Sequence, residues 1–183
     1  MPPYFKSEHK YTPNYCEENV YHLCHKFLAL SGSQLEEDDA NGEITSPASE
    51  VYVVFITNEW SSIPLLRQRA GAGLNAEGFV CWDYHVILLY TEAENGQKKR
   101  SWVYDLDTVL PFPCEFETYR RSALARFPQR ELQRKYRLIP AKTYLEVFAS
   151  DRSHMLQEDG SWKAPPPAYP PISTDGKNVN AGI

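Results

Sequence analysis

Residues 79–90 read FVCWDYHVILLY, and residues 101–107 read SWVYDLD. Both runs are rich in β-branched and aromatic residues, which favour extended backbone. The linker between them contains Asn95-Gly96, a pair that favours the positive-φ turn of a hairpin. These runs therefore predict two antiparallel neighbouring strands.

Helices and a third strand complete the expected core. Residues Glu17 to Leu30 place apolar side chains at helical spacing, which predicts an amphipathic helix. The run VYVVFIT, from Val51 to Thr57, predicts another strand, and a second helix is expected from about Glu117 to Phe127. Three strands behind a helix are typical of an α+β domain.

Two segments are expected to lie outside that core. Residues 31–49 combine Gly, Ser, Asp, Glu and Pro without periodicity, which indicates a mobile loop. Residues 160–183 are rich first in Pro and then in Gly, Asn and Asp. Such a segment either forms an ordered strap over aromatic side chains, which we favour, or presents a polyproline ligand to an SH3 or WW domain.

Length and composition limit the class of protein. A chain of 183 residues with 42% hydrophobic content suits one domain, so we expect a single domain over residues 1–183. A net charge of -5 argues against nucleic acid as a partner, because phosphate binding needs a clustered basic surface. The polar first 15 residues predict no signal peptide, and no apolar run is long enough to predict a membrane span.

The four cysteines lie far apart without a CxxC pair, which speaks against a zinc ribbon and against a dense disulfide framework. We therefore expect a reducing compartment, the cytoplasm or also the nucleus. Cys24 lies on the apolar face of the first helix, and Cys114 follows a Pro-Phe-Pro turn, so both are expected to be structural. Cys81 is four residues from His85 on the same predicted strand, about 13 Å away, and is expected to pack.

Cys16 lies at the start of the predicted first helix. Asn14 could cap that helix and Glu17 could reach back to complete a capping box. Backbone amides and the helix dipole at such a position lower the pKa of a thiol and could hold an oxyanion. The alternative is that Cys16 is a small packed residue, since a nucleophile also needs a base and a group that orients the base.

The hairpin can supply both groups. A two-residue turn at Asn95-Gly96 places His85 opposite Leu106, whereas a three-residue turn centred on Asn95 places His85 opposite Asp105. Cross-strand neighbours lie about 5 Å apart, so Asp105 could accept the Nδ1 proton of His85 and leave Nε2 for the thiol. Asp107 lies on the same face as Asp105, and periodicity does not distinguish them.

The other histidines give no clear site. His22 and His25 lie on the first helix without matching ligands elsewhere, so no metal site and no cofactor are expected. His154 has polar neighbours in the sequence. It is expected either at the rim of a substrate site or in a structural hydrogen bond.

Several blocks of the sequence match a known family in order. Trp82 to Val86 spell WDYHV, the pentapeptide of the WDYHV-motif proteins, which are the protein N-terminal glutamine amidohydrolases. The chain resembles this family from about residue 11 to residue 172, in blocks at 15–19, 54–59, 82–86, 104–113 and 148–155. Members continue beyond the Pro-rich segment with further structured sequence, whereas this chain ends at Ile183.

The resemblance implies a fold and a set of catalytic residues. It implies a papain-like or transglutaminase-like α+β core, in which the helix that bears the nucleophile packs on an antiparallel sheet. It also implies a single catalytic domain without cofactor or metal. The family's nucleophile falls on Cys16, its base on His85 and its orienting acid on Asp105.

The implied reaction is deamidation of an N-terminal glutamine to glutamate through a Cys16 thioester, with release of ammonia. The product would feed the arginylation branch of the N-degron pathway. Internal glutamine and N-terminal asparagine are not expected to react, and we expect a monomer that acts on proteins or peptides. Recognition of the free α-ammonium calls for a carboxylate, with four candidates: Glu17, Glu18, Asp83 and Asp107.

Two other functions use the same residues differently. A cysteine protease or a transglutaminase would use the triad on a backbone amide, or would pass the thioester to an amine. An interaction module would present the Pro-rich segment while Cys16 stays inert. The products, and the reactivity of Cys16, distinguish these possibilities.

Overall fold

The chain is described by a computed structural model over residues 10–32, 49–92 and 100–173. Its elements, in chain order, are α1 (Cys16–Gly32), β1 (Ser49–Thr57), β2 (Ile63–Leu65), β3 (Val80–Trp82), β4 (His85–Glu92), β5 (Arg100–Tyr104), β6 (Cys114–Glu115), α2 (Phe116–Ser122), β7 (Lys135–Pro140) and α3 (Ala141–Val147). Short 3₁₀ turns lie at Arg69–Gly71, Arg130–Leu132 and Ser153–Met155. No helix in the described ranges has the length and apolar character that crossing a bilayer requires.

Five strands form one antiparallel sheet in the order β6-β5-β4-β1-β7. The strands β2 and β3 form a separate two-stranded sheet. The fold is α+β, and the antiparallel pairing of β4 with β5 agrees with the sequence prediction. The edge strand β7 and the helix α3 were not predicted, because the polar and apolar alternation of β7 (KYRLIP) covers only Lys135 to Leu138 and α3 has only seven residues.

The helix α1 covers one face of the large sheet. Its apolar residues Leu23, Cys24 and Phe27 are almost fully buried and pack with side chains of β1, β4 and β5. Burying each large apolar side chain contributes about 1.5–3 kcal/mol, so this stripe fixes the helix on the sheet. The predicted span of 17–30 is confirmed, and the helix extends to Gly32.

The register of the hairpin differs from both predicted registers. Leu88 faces Tyr104 and Leu89 faces Val103, a register that would place His85 opposite Asp107 if the ladder continued. The ladder stops there, because β5 ends at Tyr104. The turn that determines this register, including Asn95-Gly96, lies outside the described residues.

The run 79–90 is not one strand, as predicted, but two. It breaks at Asp83 and Tyr84, so β3 pairs with β2 while β4 begins at His85 in the large sheet. Cys81 is therefore not on the strand of His85. The prediction that Cys81 packs was wrong, because it is exposed and its sulfur lies 3.0 Å from Ser62 Oγ.

The helix α2 is shorter than predicted and ends at Ser122. Beyond it the chain turns, and the guanidinium group of Arg134 donates to the carbonyls of Leu124, Ala125 and Pro64. The carbonyls of Leu124 and Ala125 lie beyond the end of α2 and have no helical amide partner, so these bonds satisfy them. Arg134 thus stabilises the turn that follows α2.

The described part of the Pro-rich segment, to residue 173, lies along the start of α1 and the loop after α3. The Tyr15 hydroxyl donates to Ala164 O, the Tyr169 ring contacts His22 edge-on at 5.0 Å, and Ser150 N donates to Ile172 O. Residues 33–48, within the segment predicted as a mobile loop, and residues 174–183 lie outside the described ranges. The extent of a single catalytic domain over 1–183 stays a prediction.

Candidate active site

A cavity of about 240 Å³ opens at the start of α1. It is also bordered by the break between β3 and β4, the turn after β5 and the Pro-rich segment. Four sequence-predicted residues line it together: Cys16, Asp83, His85 and Asp107. The complete lining is Asn14, Cys16, Trp82, Asp83, Tyr84, His85, Asp107, His154, Met155, Lys163 and Ala164. The described fold thus brings a thiol, an imidazole and carboxylates to one space.

Cys16 is the first residue of α1 and is 8% exposed. Burial raises the pKa of its thiol well above the ordinary value, and the charges of Glu17 and Asp107 raise it further. A hydrogen bond from the Val86 backbone amide acts in the opposite direction without reversing the shift. The expectation that the helix start lowers this pKa was wrong, because burial and acidic neighbours outweigh it.

The predicted capping box is not formed. Asn14 adopts a positive φ of 67° and its side chain lines the cavity. The first turn is held instead by Asn19, which exchanges hydrogen bonds with the backbone of Thr12. The Glu17 carboxylate lies 3.5 Å from the Cys16 sulfur and accepts a hydrogen bond from Tyr84.

His85 begins β4 and is 2% exposed. Its Nε2 lies 3.0 Å from Asp105 Oδ1, and the Trp82 ring stacks on it at 5.8 Å with an interplanar angle of 13°. The prediction that Nδ1 faces Asp105 was wrong. Nδ1 is instead the ring nitrogen that does not contact Asp105. Burial acts to lower the pKa of His85, but the Asp105 carboxylate outweighs burial and the pKa is raised.

Asp105 is the centre of a buried hydrogen-bond network. Its Oδ1 accepts from the backbone amide of Asp107 as well as contacting His85, and its Oδ2 accepts from the Tyr119 hydroxyl at 2.8 Å and from Gln68 Nε2 at 3.3 Å. Burial alone would raise the pKa of Asp105, but His85 and these donors lower it. The carboxylate is therefore charged and fixed in orientation.

Sequence reasoning did not select Gln68 or Tyr119. Gln68 also accepts from Trp82 Nε1 at 3.2 Å, so it links the ring stacked on His85 to the acid that binds His85. No local pattern marks Gln68 or Tyr119, because their contacts with Asp105 arise only in the folded chain.

The loop that follows Gln68 contains Gly71. A Cβ atom at Gly71 would lie 2.6 Å from the backbone of Gly78, so only glycine allows the close approach that holds this loop.

Glu18 does not line the cavity. It is fully buried, and both of its carboxylate oxygens accept hydrogen bonds from Arg152 at 2.8 Å. Arg152 also donates to Tyr169 O and lies over the Tyr15 ring. This ion pair ties α1 to the loop after α3 and to the Pro-rich segment.

The other three predicted carboxylates lie close to Cys16 and His85. Asp83 is at the cavity rim and accepts from the backbone amide of Tyr84. Asp107 is buried and accepts from the Tyr11 hydroxyl at 2.6 Å. Burial raises the pKa of both Glu17 and Asp107.

Ring nitrogen and carboxylate oxygens of His85, Asp105 and Asp107 lie within 4.8 Å of one another. His85 Nε2 and both Asp105 oxygens are, however, already engaged with each other and with Tyr119, Gln68 and a backbone amide. This donor set fits a hydrogen-bonded network, and we do not identify it as a metal centre. His154 lies at the rim of the cavity, which was one of its two predicted positions. Its ring contacts the Tyr84 ring edge-on.

Comparison with known proteins gives a consistent result. A family model described as N-terminal glutamine amidase matches residues 11–182. Curated relatives named protein N-terminal glutamine amidohydrolase include those of Danio rerio, 42% identical over 172 residues, and Homo sapiens, 43% identical over 174 residues. These two alignments cover 93% of this chain and 75% and 74% of the relatives. The relative from Drosophila melanogaster is 44% identical over 170 residues, covering 91% of this chain and 73% of its own length.

Proposed function

Because the chain belongs to the N-terminal glutamine amidase family, we propose that it converts the N-terminal glutamine of proteins or peptides to glutamate and releases ammonia. The observation that carries the proposal is the shared cavity of Cys16 and His85, with His85 held by the buried Asp105. A nucleophile, a base and an orienting acid are the groups that acyl transfer through a covalent intermediate requires.

In the proposed reaction, Cys16 is the nucleophile. Its thiol proton moves to Nδ1 of His85 as the sulfur attacks the side-chain carboxamide carbon of the substrate. The tetrahedral intermediate then collapses, the C–N bond breaks, and the proton on His85 leaves with the amide nitrogen as ammonia. A γ-glutamyl thioester on Cys16 remains.

Water completes the cycle. His85 takes a proton from the water as its oxygen attacks the thioester carbonyl, and the C–S bond then breaks. The proton returns to the Cys16 sulfur, and the product begins with glutamate. This cycle uses no cofactor or metal.

The raised pKa of Cys16 means that His85 has to accept the thiol proton during the reaction. Since burial and the nearby carboxylates disfavour a free thiolate, the proton has to be transferred in step with attack. Asp105 raises the proton affinity of His85 and fixes its ring, which makes that transfer less costly. In this proposal, backbone amides in the first turn of α1, which have no intrahelical partner, stabilise the oxyanion.

The proposal also covers the type of fold, the oligomeric state and the cellular compartment. A cysteine at the start of a helix that packs on an antiparallel sheet with histidine and aspartate supports a papain-like or transglutaminase-like core. The unpaired thiols of the described cysteines support a reducing compartment, the cytoplasm or also the nucleus, and the protein is further proposed to be a monomer. The proposed role is to generate N-terminal glutamate for arginylation in the N-degron pathway.

The test is the product formed from a peptide that carries both an N-terminal and an internal glutamine. Mass spectrometry and an ammonia assay are expected to show conversion of the terminal residue alone, in an unbroken peptide. A matched peptide that begins with asparagine should remain unchanged, because its carbonyl is one methylene short of the sulfur. Two fragments would indicate a protease, a crosslinked product would indicate a transglutaminase, and either result overturns the proposal.

A further inference from the structure

Asp107 is 7% exposed and lines the cavity beside Cys16 and His85. The Tyr11 hydroxyl donates to its Oδ1 at 2.6 Å, and its backbone amide is held by Asp105. Among the residues that the structure describes, its Oδ2 receives no hydrogen bond and its carboxylate forms no ion pair. Of the positively charged groups that act on Asp107, His85 is bonded to Asp105 and Arg69 Nε donates to the carbonyl of Thr108, so neither forms an ion pair with Asp107. A buried carboxylate that forms no ion pair is stabilised when a cation binds to it.

The three other candidate carboxylates are less suited to bind a substrate cation. Both oxygens of Glu18 are occupied by Arg152, away from the cavity. Glu17 already contacts the Cys16 sulfur and Tyr84, and it is not among the lining residues. Asp83 lies at the exposed rim, where water screens a charge and weakens an ion pair.

The length of a glutamine side chain also agrees with the separation between Asp107 and His85. In glutamine, four covalent bonds separate the carboxamide carbon from the α-nitrogen, which spans about 5 Å in an extended side chain. The carboxamide has to lie within hydrogen-bonding reach of His85 for its nitrogen to be protonated. A carboxylate oxygen of Asp107 and one ring nitrogen of His85 lie within 4.8 Å of each other, a separation that an extended glutamine side chain can span.

We propose that Asp107, positioned by Tyr11, binds the α-ammonium group of the substrate and thereby restricts the enzyme to N-terminal glutamine. This inference rests on the proposed function and assigns its specificity to one residue. An internal or acetylated glutamine has no cation at this point, so its binding would leave the buried carboxylate unpaired. The same charge pairing orients the carboxamide towards Cys16 and His85.

The test compares two peptides of one sequence, one with a free N-terminal glutamine and one with that glutamine acetylated. The ratio of their kcat/KM values is measured for the wild type, for Asp107→Asn and for Asp83→Asn. Asp107→Asn is expected to lower this ratio at least 30-fold, through the free peptide alone, while Asp83→Asn changes it less than threefold. Conversion of the free peptide by the wild type tests the proposed function separately.

Two results would overturn the inference. If Asp107→Asn slows both peptides equally, Asp107 acts on His85 and not on the ammonium group. If Asp83→Asn instead removes the discrimination, the rim carboxylate binds the cation. Should the acetylated peptide turn over too slowly to measure, titration calorimetry with Cys16→Ala replaces the ratio: adding Asp107→Asn must weaken binding of the free peptide at least tenfold, and unchanged binding contradicts the inference.

Discussion

His85 Nε2 lies 3.0 Å from Asp105 Oδ1, and both side chains are buried. This contact joins the first residue of β4 to the residue that follows β5, across the end of a ladder that stops at Leu88 and Tyr104. Because Asp105 leaves the strand at this point, its carboxylate can reach His85 without being its ladder partner. The orientation of the candidate base thus depends on where one strand ends.

Replacing Asp105→Asn is expected to lower kcat about 10³-fold, since a neutral amide no longer stabilises a protonated His85 and can hold the wrong tautomer. Steady-state kinetics on an N-terminal glutamine peptide measure the loss. Asp151→Asn, which changes a partly exposed aspartate bonded to the Ser153 backbone amide, is the matched control and is expected to stay within twofold of wild type. Equal rates for the two variants would remove Asp105 from the mechanism.

Tyr119→Phe deletes one hydroxyl donor to Asp105 Oδ2 and keeps the buried ring. Loss of this donor raises the pKa of Asp105 and lets the carboxylate rotate, so kcat is expected to fall about tenfold with KM nearly unchanged. The measurement is kcat and KM with the same peptide, alongside thermal unfolding. A rise in KM at constant kcat would show instead that Tyr119 affects substrate binding.

Glu17→Gln is expected to make Cys16 more reactive in the free enzyme. The negative charge of Glu17 raises the pKa of the thiol, so its removal lowers that pKa and increases the thiolate fraction at neutral pH. Alkylation of Cys16 by iodoacetamide, followed by peptide mass spectrometry from pH 6 to 10, should shift to lower pH in the variant. At pH 7 the rate should rise several-fold, and a slower reaction would contradict this role of Glu17.

Arg152→Met is expected to destabilise the fold by about 3–5 kcal/mol, because it leaves Glu18 charged and unpaired in the interior. Urea unfolding measures the change in free energy. Arg120→Met is the control, since its pair with Glu117 is solvent-exposed and such pairs contribute about 0–1 kcal/mol. Similar losses in the two variants would show that burial does not distinguish these ion pairs.

The sequence allowed the main elements to be predicted where local patterns are strong. The apolar spacing of α1 and the aromatic, β-branched runs of β1, β4 and β5 specify their own conformations. The break at Asp83 and Tyr84 could not be predicted, because it depends on β3 finding a partner in β2. The short β7 carries too weak a pattern, and it is held by its ladder with β1.

The candidate site was predictable to a similar extent. Periodicity and turn chemistry brought His85 close to either Asp105 or Asp107, and the family resemblance chose Asp105. The ring nitrogen that faces Asp105, the direction of the Cys16 pKa shift and the part played by Gln68 depend on burial and on contacts distant in sequence. A linear pattern contains no information on these quantities.

The most direct test of the central claim is a search for the covalent intermediate on Cys16. Wild-type protein and Cys81→Ala, which alters an exposed thiol outside the cavity, are mixed with an N-terminal glutamine peptide and quenched in acid. Mass spectrometry is expected to show the peptide, less ammonia, attached through a thioester to the proteolytic fragment that contains Cys16, in both proteins. Cys16→Ala should give neither adduct nor product. Formation of N-terminal glutamate by folded Cys16→Ala at the wild-type rate would contradict the account.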